Sequence, residues 1–252
     1  MLDSRASSLN RQPLDISIIV PVHNEAGAVE TLAGEIAAAL DGFAYEMIFV
    51  DDASTDDTHA RLNAMKTKFP TLRVLVHRKN AGQSRAIMNG VLAARGPVIG
   101  TLDGDGQNDP ADLPKLLTQL NRPSAPQGLV FVGGRRLKRQ DSHAKKTASL
   151  WANNVRQALL RDGSDDSGCG IKVVKRDTFL RLPYFDHMHR YMPALIQREG
   201  GLAEFVEVHH RHRETGASKY TNLGRLWAAL SDLGGVIWLR TRRRDFGHVD
   251  ET

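Results

Sequence analysis

Four short apolar runs in the first 102 residues limit what this chain can become. Residues 15–20, 45–50, 72–77 and 97–102 are each brief and rich in Val, Ile or Leu, as strands buried on both faces are. Between them lie segments of helical spacing. Val29, Leu32, Ile36 and Leu40 recur at three and four residues within 25–40, and residues 83–94 carry alanine and glycine on a side suited to close packing. Strand and helix in alternation predict a parallel, doubly wound α/β sheet. Such sheets bind ligands at the carboxyl ends of their strands.

Two of the runs end in acidic sequence. The second leads into Asp51-Asp52-Ala53-Ser54-Thr55-Asp56-Asp57-Thr58, where Ser54 or Thr55 is expected to cap a helix with Asp56 and Asp57 in its first turn. The fourth leads into Leu102-Asp103-Gly104-Asp105-Gly106-Gln107-Asn108-Asp109-Pro110. Asp103, Asp105 and Gln107 fall at intervals of two with glycines between, so their oxygens can converge, and oxygen donors suit Mg²⁺ or Mn²⁺. A solvated turn capping a helix at Pro110 uses the same residue types. The motif alone does not separate the two.

Composition excludes some classes. With 252 residues, 41% of them hydrophobic, the chain can bury a sizeable core, and the single cysteine, Cys169, rules out an internal disulfide framework. Residues 1–12 are polar, read as a loose tail, and lack the apolar centre of a signal peptide. The net charge of +5 suits an acidic partner. Nucleic acid is disfavoured, because aromatics are only 6% and the acids sit at strand ends.

Further along, residues 110–120 read as a helix, 128–132 as a strand, 133–146 as a cationic loop opened by Gly133-Gly134, 147–160 as a helix, 187–198 as a helix and 203–208 as a strand. Residues 223–239 form an apolar run broken by Arg225 and Asp232, shorter than the ~20 residues of a membrane span.

The ordered set Val20-Pro21-Val22-His23-Asn24-Glu25, Val50-Asp51-Asp52-Ala53-Ser54-Thr55-Asp56, Asn80-Ala81-Gly82 and Asp103-Gly104-Asp105 resembles the family 2 glycosyltransferases of the GT-A fold. In the second half, Asp166-Ser167-Gly168-Cys169-Gly170-Ile171-Lys172 and Arg213-Glu214-Thr215-Gly216-Ala217-Ser218-Lys219-Tyr220 resemble the branch that makes polyprenyl-phosphate sugars, to which the dolichyl-phosphate mannose synthases belong. The resemblance implies a Rossmann-like nucleotide-sugar domain with a mostly parallel sheet over residues 13–220, an interfacial or packing helix over 221–244 and a tail over 245–252.

It also implies roles. Pro21, His23, Glu25, Val50 and Asp52, with Asp103, Gly104 and Asp105, would hold the donor nucleotide; the family more often has tyrosine where His23 stands. Asp105 and Gln107 would ligate Mg²⁺ or Mn²⁺, and Asp103 would orient the sugar. Arg213 and Lys219 would neutralise the diphosphate. Arg135, Lys145 and Ser149 would hold an acceptor phosphate, Arg135 acting as a catalytic group, with arginine commoner in the family at the Lys145 position. An anionic phosphate acceptor needs no strong base, so none is nominated. Single displacement inverts the anomeric centre.

The expected reaction moves a sugar from a nucleotide-diphosphate sugar, such as GDP-mannose or a UDP-sugar, to undecaprenyl or dolichyl phosphate. It would take place at the cytoplasmic face of a membrane, with Trp227, Trp238 and the basic residues 240–244 at the lipid surface. A glycan acceptor on the same fold is the alternative, and a basic nucleic-acid-binding protein is the alternative of another class. Self-association and a separate membrane partner are both compatible with the sequence.

Overall fold

The computed structural model describes residues 13–136, 156–164, 166, 168–209, 211 and 222–242, with the side chains of 222–228 set aside. A seven-stranded sheet runs in the order β3-β2-β1-β4-β6-β5-β7. Its strands are β1 Ile16–Val22, β2 Tyr45–Asp51, β3 Leu72–Val76, β4 Val98–Thr101, β5 Leu129–Arg136, β6 Lys172–Lys175 and β7 Leu202–Val208. β1 pairs in parallel with β2 and β4, β2 with β3, and β5 with β7. Only β6 opposes its neighbours, lying antiparallel between β4 and β5.

The helices are α1 Val29–Ala39, α2 Thr58–Met65, α3 Gln83–Ala93, α4 Leu113–Asn121, α5 Arg176–Arg181, α6 Met192–Arg198 and α7 Asn222–Thr241. Both faces of the sheet are covered. Ile16, Ile18 and Val20 of β1 join Leu32 and Ile36 of α1 and Leu113, Leu116 and Leu120 of α4 in one core cluster. Ile19, on the opposite face, joins Ile87 and Val91 of α3, Leu195 of α6 and Val236 of α7 in the other. This two-sided burial is why β1 reads as nearly unbroken apolar sequence. Each such side chain contributes roughly 1.5–3 kcal/mol.

Several boundaries differ from the sequence reading. The strand expected over 128–132 is β5, Leu129–Arg136, which takes Gly133 to Arg136 from the expected cationic loop because that stretch pairs with β7. The helix expected to be capped by Ser54 or Thr55 starts at Thr58, with Asp57 at its N-cap and no side-chain cap bond. Its would-be caps serve the neighbouring loop instead. The helix expected from Pro110 begins as a 3₁₀ turn, Pro110–Asp112, held by Asp109, whose carboxylate accepts from the Ala111 amide. The expected helix over 187–198 is a 3₁₀ turn, Met188–Arg190, followed by α6. Of the segment 147–160, residues 156–160 are helical and the rest lies outside the described residues.

β1 sits where the strand order reverses, with β2 on one side and β4 on the other. The carboxyl ends of β1, β2 and β4 therefore meet at a switch point, the place where this class of sheet opens a crevice.

Candidate active site at the strand ends

The loops after β1 and β2 are knitted together by short polar side chains. Asn24 takes a left-handed backbone (φ 57°), which asparagine tolerates; its amide donates to Ser54 Oγ at 2.9 Å and its Oδ1 accepts from the Thr55 amide at 2.7 Å. The amide of Glu25 donates to Thr58 Oγ1 at 2.9 Å, and that of Ala26 to Asp56 at 3.3 Å. Residues that favour turns when read locally are thus spent on a loop thirty residues away.

Asp52 is buried and joins three strand ends. Its Oδ1 accepts from the Ala81 amide at 2.8 Å and from His77 Nδ1 at 2.6 Å, while Oδ2 accepts from the Gly82 amide at 2.8 Å. The Asn89 amide lies 2.9 Å from His77 Nε2, which assigns the imidazole proton to Nδ1. The Asp52 carbonyl accepts from Asn80 Nδ2 and lies 2.9 Å from His23 Nδ1. So Asp52, His23 and Asn80-Ala81-Gly82 are gathered at one point. Pro21 is the last residue but one of β1 and pairs with Val50 of β2, which is wholly buried in the core on the α3 face.

The Asp103-Gly104-Asp105 loop packs directly on β1. A Cβ at Gly104 would stand 2.8 Å from the Pro21 carbonyl oxygen and 2.6 Å from Val22 Cγ1, so no larger residue fits that approach. Gln83, at the start of α3, donates to Asp103 Oδ1 at 2.8 Å, and Asn108 Oδ1 accepts from the Asp103 amide. Asp105 Oδ1 accepts from the Gln107 amide at 3.1 Å.

Burial, and then the charge of Asp105, push the Asp103 carboxyl above the usual range, with Lys172 and Gln83 offsetting part of the effect. Burial lowers the Lys172 ammonium despite the attraction of Asp103. It likewise pushes His189, with Lys172 beside it, well below the ordinary histidine range, and raises the Cys169 thiol to about 11, which makes that thiol an unreactive packing group. Two carboxylates and an amide side chain on one glycine-containing loop form a donor set that fits a hard divalent cation retaining substrate phosphates as further ligands. Among the described residues no group of three or more His, Cys, Asp or Glu side chains is placed to hold a metal by itself.

The basic segment starts at the same loop. Arg211 donates its amide to the Gln107 carbonyl at 3.0 Å, and its guanidinium pairs with Asp109 at 2.8 Å and with Glu35 of α1 at 2.7 Å. The His209 amide donates to Asp112 at 2.7 Å. Arg213 and Lys219 follow outside the described residues, as do Lys145 and Ser149 on the acceptor side.

Arg135 and Arg136 point to opposite faces of β5. Arg135, partly exposed, lies 3.5 Å from Glu207 on β7. Arg136 makes a two-pronged pair with Asp166, at 2.5 and 2.6 Å, and it is Arg136 whose charge reaches Asp103. Sequence reasoning missed Gln83, His77, Asn108, Arg136, Lys172 and His189. The Arg-Arg doublet and a lysine entering an apolar strand were visible signals; for Gln83, Asn108 and the histidines only the folded chain supplies one.

The family model described as Glycosyl transferase family 2 matches residues 17–182. A dodecaprenyl-phosphate galacturonate synthase of Rhizobium johnstonii is 32% identical over 245 residues, covering 94% of this chain and 70% of that protein. The chain belongs to glycosyl transferase family 2. An undecaprenyl-phosphate 4-deoxy-4-formamido-L-arabinose transferase of Yersinia pestis is 34% identical to this transferase over 230 residues, covering 90% of the chain and 68% of the relative. Glucosyl-3-phosphoglycerate synthase from Mycobacterium tuberculosis, solved with phosphoglyceric acid, superposes with a TM-score of 0.66 at 21% identity, covering 93% of the transferase and 82% of that chain. The same synthase has been solved with Mn²⁺, uridine diphosphate and glucosyl-3-phosphoglycerate (TM-score 0.65, 19% identity, 93% and 82% covered). At that identity the likeness establishes the shared GT-A fold, with its mostly parallel sheet.

Proposed function

We propose that this transferase moves a sugar from a nucleotide-diphosphate sugar to a polyprenyl phosphate, with inversion at the anomeric carbon. The observation that carries the reading is a convergence at one end of the sheet. The His23–Asp52 network, the Asp103-Gly104-Asp105 loop and the root of the basic segment at Arg211 adjoin one another there. The named activities of the relatives, both of which act on dodecaprenyl or undecaprenyl phosphate, supply the acceptor class.

In this reading Pro21, His23, Glu25, Asp52 and the backbone at Val50 hold the nucleoside. Asp105 and Gln107 hold Mg²⁺ or Mn²⁺, which when bound supplies positive charge to the diphosphate. Asp103 orients the sugar. Arg213 and Lys219 neutralise the phosphates, and Arg135, Lys145 and Ser149 hold the acceptor phosphate against the repulsion of the donor. A phosphate oxygen of the acceptor forms the new bond to the anomeric carbon as the bond to the diphosphate oxygen breaks, and the electron pair leaves with the nucleoside diphosphate. No proton has to be removed, so the described side chains need only position and stabilise. From an α-linked donor the product is β-linked.

The acceptor's chain lies in a bilayer. Leu230 and Trp238 of α7 are more than half exposed, and the Arg242 guanidinium stands 5.7 Å from the Trp238 ring centre. No helix among the described residues is long and apolar enough to cross a membrane. An exposed indole with a cation beside it at the end of α7 suits attachment at the lipid interface of the cytoplasmic leaflet.

Incubation with a panel of labelled UDP- and GDP-sugars and either undecaprenyl phosphate or a neutral glycan acceptor tests the reading. Label in the lipid with one donor supports it. Label only in the glycan overturns the acceptor assignment.

A further inference from the structure

The first turn of α3 lies between the two acidic strand ends and is bonded to both. Gly82, its N-cap, donates its amide to Asp52 Oδ2 at 2.8 Å, and the buried Ser84 is anchored in turn, its Oγ 2.8 Å from His189 Nδ1. Between these two held residues Gln83 is exposed, yet its side chain donates from Nε2 to Asp103 Oδ1 at 2.8 Å. Among the described residues this is the one hydrogen bond that the Asp103 carboxylate accepts. An ionised carboxylate only accepts, which assigns the nitrogen of the glutamine amide to the contact. Holding a long exposed side chain in one rotamer costs conformational entropy that burial does not offset here, so the bond to the charged acceptor is what fixes it. On its other side the carboxylate has no room to turn. Gly170 stands against Oδ2, and the Asp103 backbone is held where its amide donates to Asn108 Oδ1 at 3.1 Å.

We propose that Gln83 is a positioning residue of the transfer site: its side-chain amide holds the Asp103 carboxylate against the Gly170 wall, in the orientation that meets the donor sugar. Because Gly82, next to it, is bound to Asp52, the same helical turn ties the nucleoside end of the site to the sugar end. This rests on the reading that Asp103 serves the donor sugar and the Asp52 network the nucleoside. Gln83 acts on the reaction through Asp103, so its loss slows the transfer step and leaves nucleotide affinity in place.

Three substitutions at this exposed position test it, with Asp103→Asn as the reference. Gln83→Met keeps the length and removes the donor, Gln83→Lys keeps a donor, and Gln83→Glu sets a second carboxylate against Asp103. Turnover is read as release of nucleoside diphosphate from whichever donor the wild type cleaves fastest, which registers transfer to lipid, to another acceptor or to water. The acceptor assignment can thus fail while this proposal is still tested. Affinity for UDP and GDP and the melting temperature are measured beside it. Gln83→Met is expected to lose about tenfold in kcat, with affinity for the nucleotide that the wild type binds changed less than threefold and the melting temperature within a few degrees. Gln83→Glu should be slower still, and Gln83→Lys should stay within threefold of wild type. Wild-type kcat in Gln83→Met beside a slow Asp103→Asn overturns the proposal alone, as does a Gln83→Lys no faster than Gln83→Met or a tenfold loss of nucleotide affinity. Wild-type kcat in Asp103→Asn overturns the underlying reading of Asp103, and the proposal with it.

Discussion

Gly170 stands against the carboxylate of Asp103: a Cβ at position 170 would lie 2.2 Å from Asp103 Oδ2 and 2.4 Å from Asn108 Oδ1. The backbone there cannot retreat cheaply, because Thr101 Oγ1 donates to the Gly170 carbonyl at 2.8 Å and ties β6 to the end of β4. The Gly-Cys-Gly turn of the second half of the chain is therefore a wall of the acidic site. Gly170→Ala should displace Asp103 and lower kcat by about a hundredfold, at a stability cost of about 1–3 kcal/mol for the overpacking. Steady-state kinetics with a melting curve check this, and a fully active Gly170→Ala would contradict it.

At the opposite end of the sheet, Glu46 is buried beneath Arg73 and Arg95. Burial raises its pKa, but hydrogen bonds from the Arg73 guanidinium, from the Arg95 amide and guanidinium and from Ser17 outweigh that and hold it below the usual range. A depressed folded-state pKa gives stability that is present above the unfolded value near 4.5 and is lost as pH falls through the folded value. Glu46→Gln should cost about 2 kcal/mol at neutral pH, with the gap to wild type narrowing below pH ~4.5. Denaturant titrations at several pH values measure it, and a pH-independent gap would refute the assignment.

Ala53 holds φ at 59° in the turn after β2, where a Cβ is disfavoured by about 1 kcal/mol. Ala53→Gly removes that strain, and with the ~0.4–1 kcal/mol that glycine's freedom in the unfolded chain costs, the net effect should be a small rise of at most about 0.6 kcal/mol, or up to ~2 °C in Tm. Calorimetry decides it; a lower Tm would show that the loop is held otherwise.

On α7, Trp238→Ala should weaken binding to vesicles containing anionic lipid by about tenfold, and wild-type binding should fall as salt rises. Co-sedimentation with neutral and anionic vesicles separates the two contributions. Unchanged binding in Trp238→Ala would move the membrane contact elsewhere.

Strands β1, β2 and β4 were legible because each is buried on both faces and closed by a polar turn, so pattern and burial agree at Ile16, Ile48 and Ile99, whereas β3, at the sheet edge, is mostly half-buried with Val76 exposed and was readable only from its run of Leu and Val. β6 was not. It is four residues long, flanked by Lys172 and Lys175, and its pairing with β4 and β5 joins segments far apart in sequence, which local pattern does not encode. The acids at the strand ends were readable for the same reason as the strands. The start of α2 was not, because Ser54 and Thr55, good caps in isolation, bond Asn24 in the loop after β1 instead. Nor could sequence tell which of Arg135 and Arg136 faces Asp166, since neighbours on a strand differ only by register.

The most direct test of transfer at the acidic loop is the intact mass of the lipid formed from undecaprenyl phosphate, the best nucleotide-sugar donor and Mg²⁺ or Mn²⁺, with wild type and with Asp105→Ala. The account predicts a lipid heavier than the acceptor by one sugar residue with wild type, and at least a hundredfold less of it with Asp105→Ala, whose melting temperature should stay within a few degrees of wild type. Undiminished product from Asp105→Ala would contradict the account.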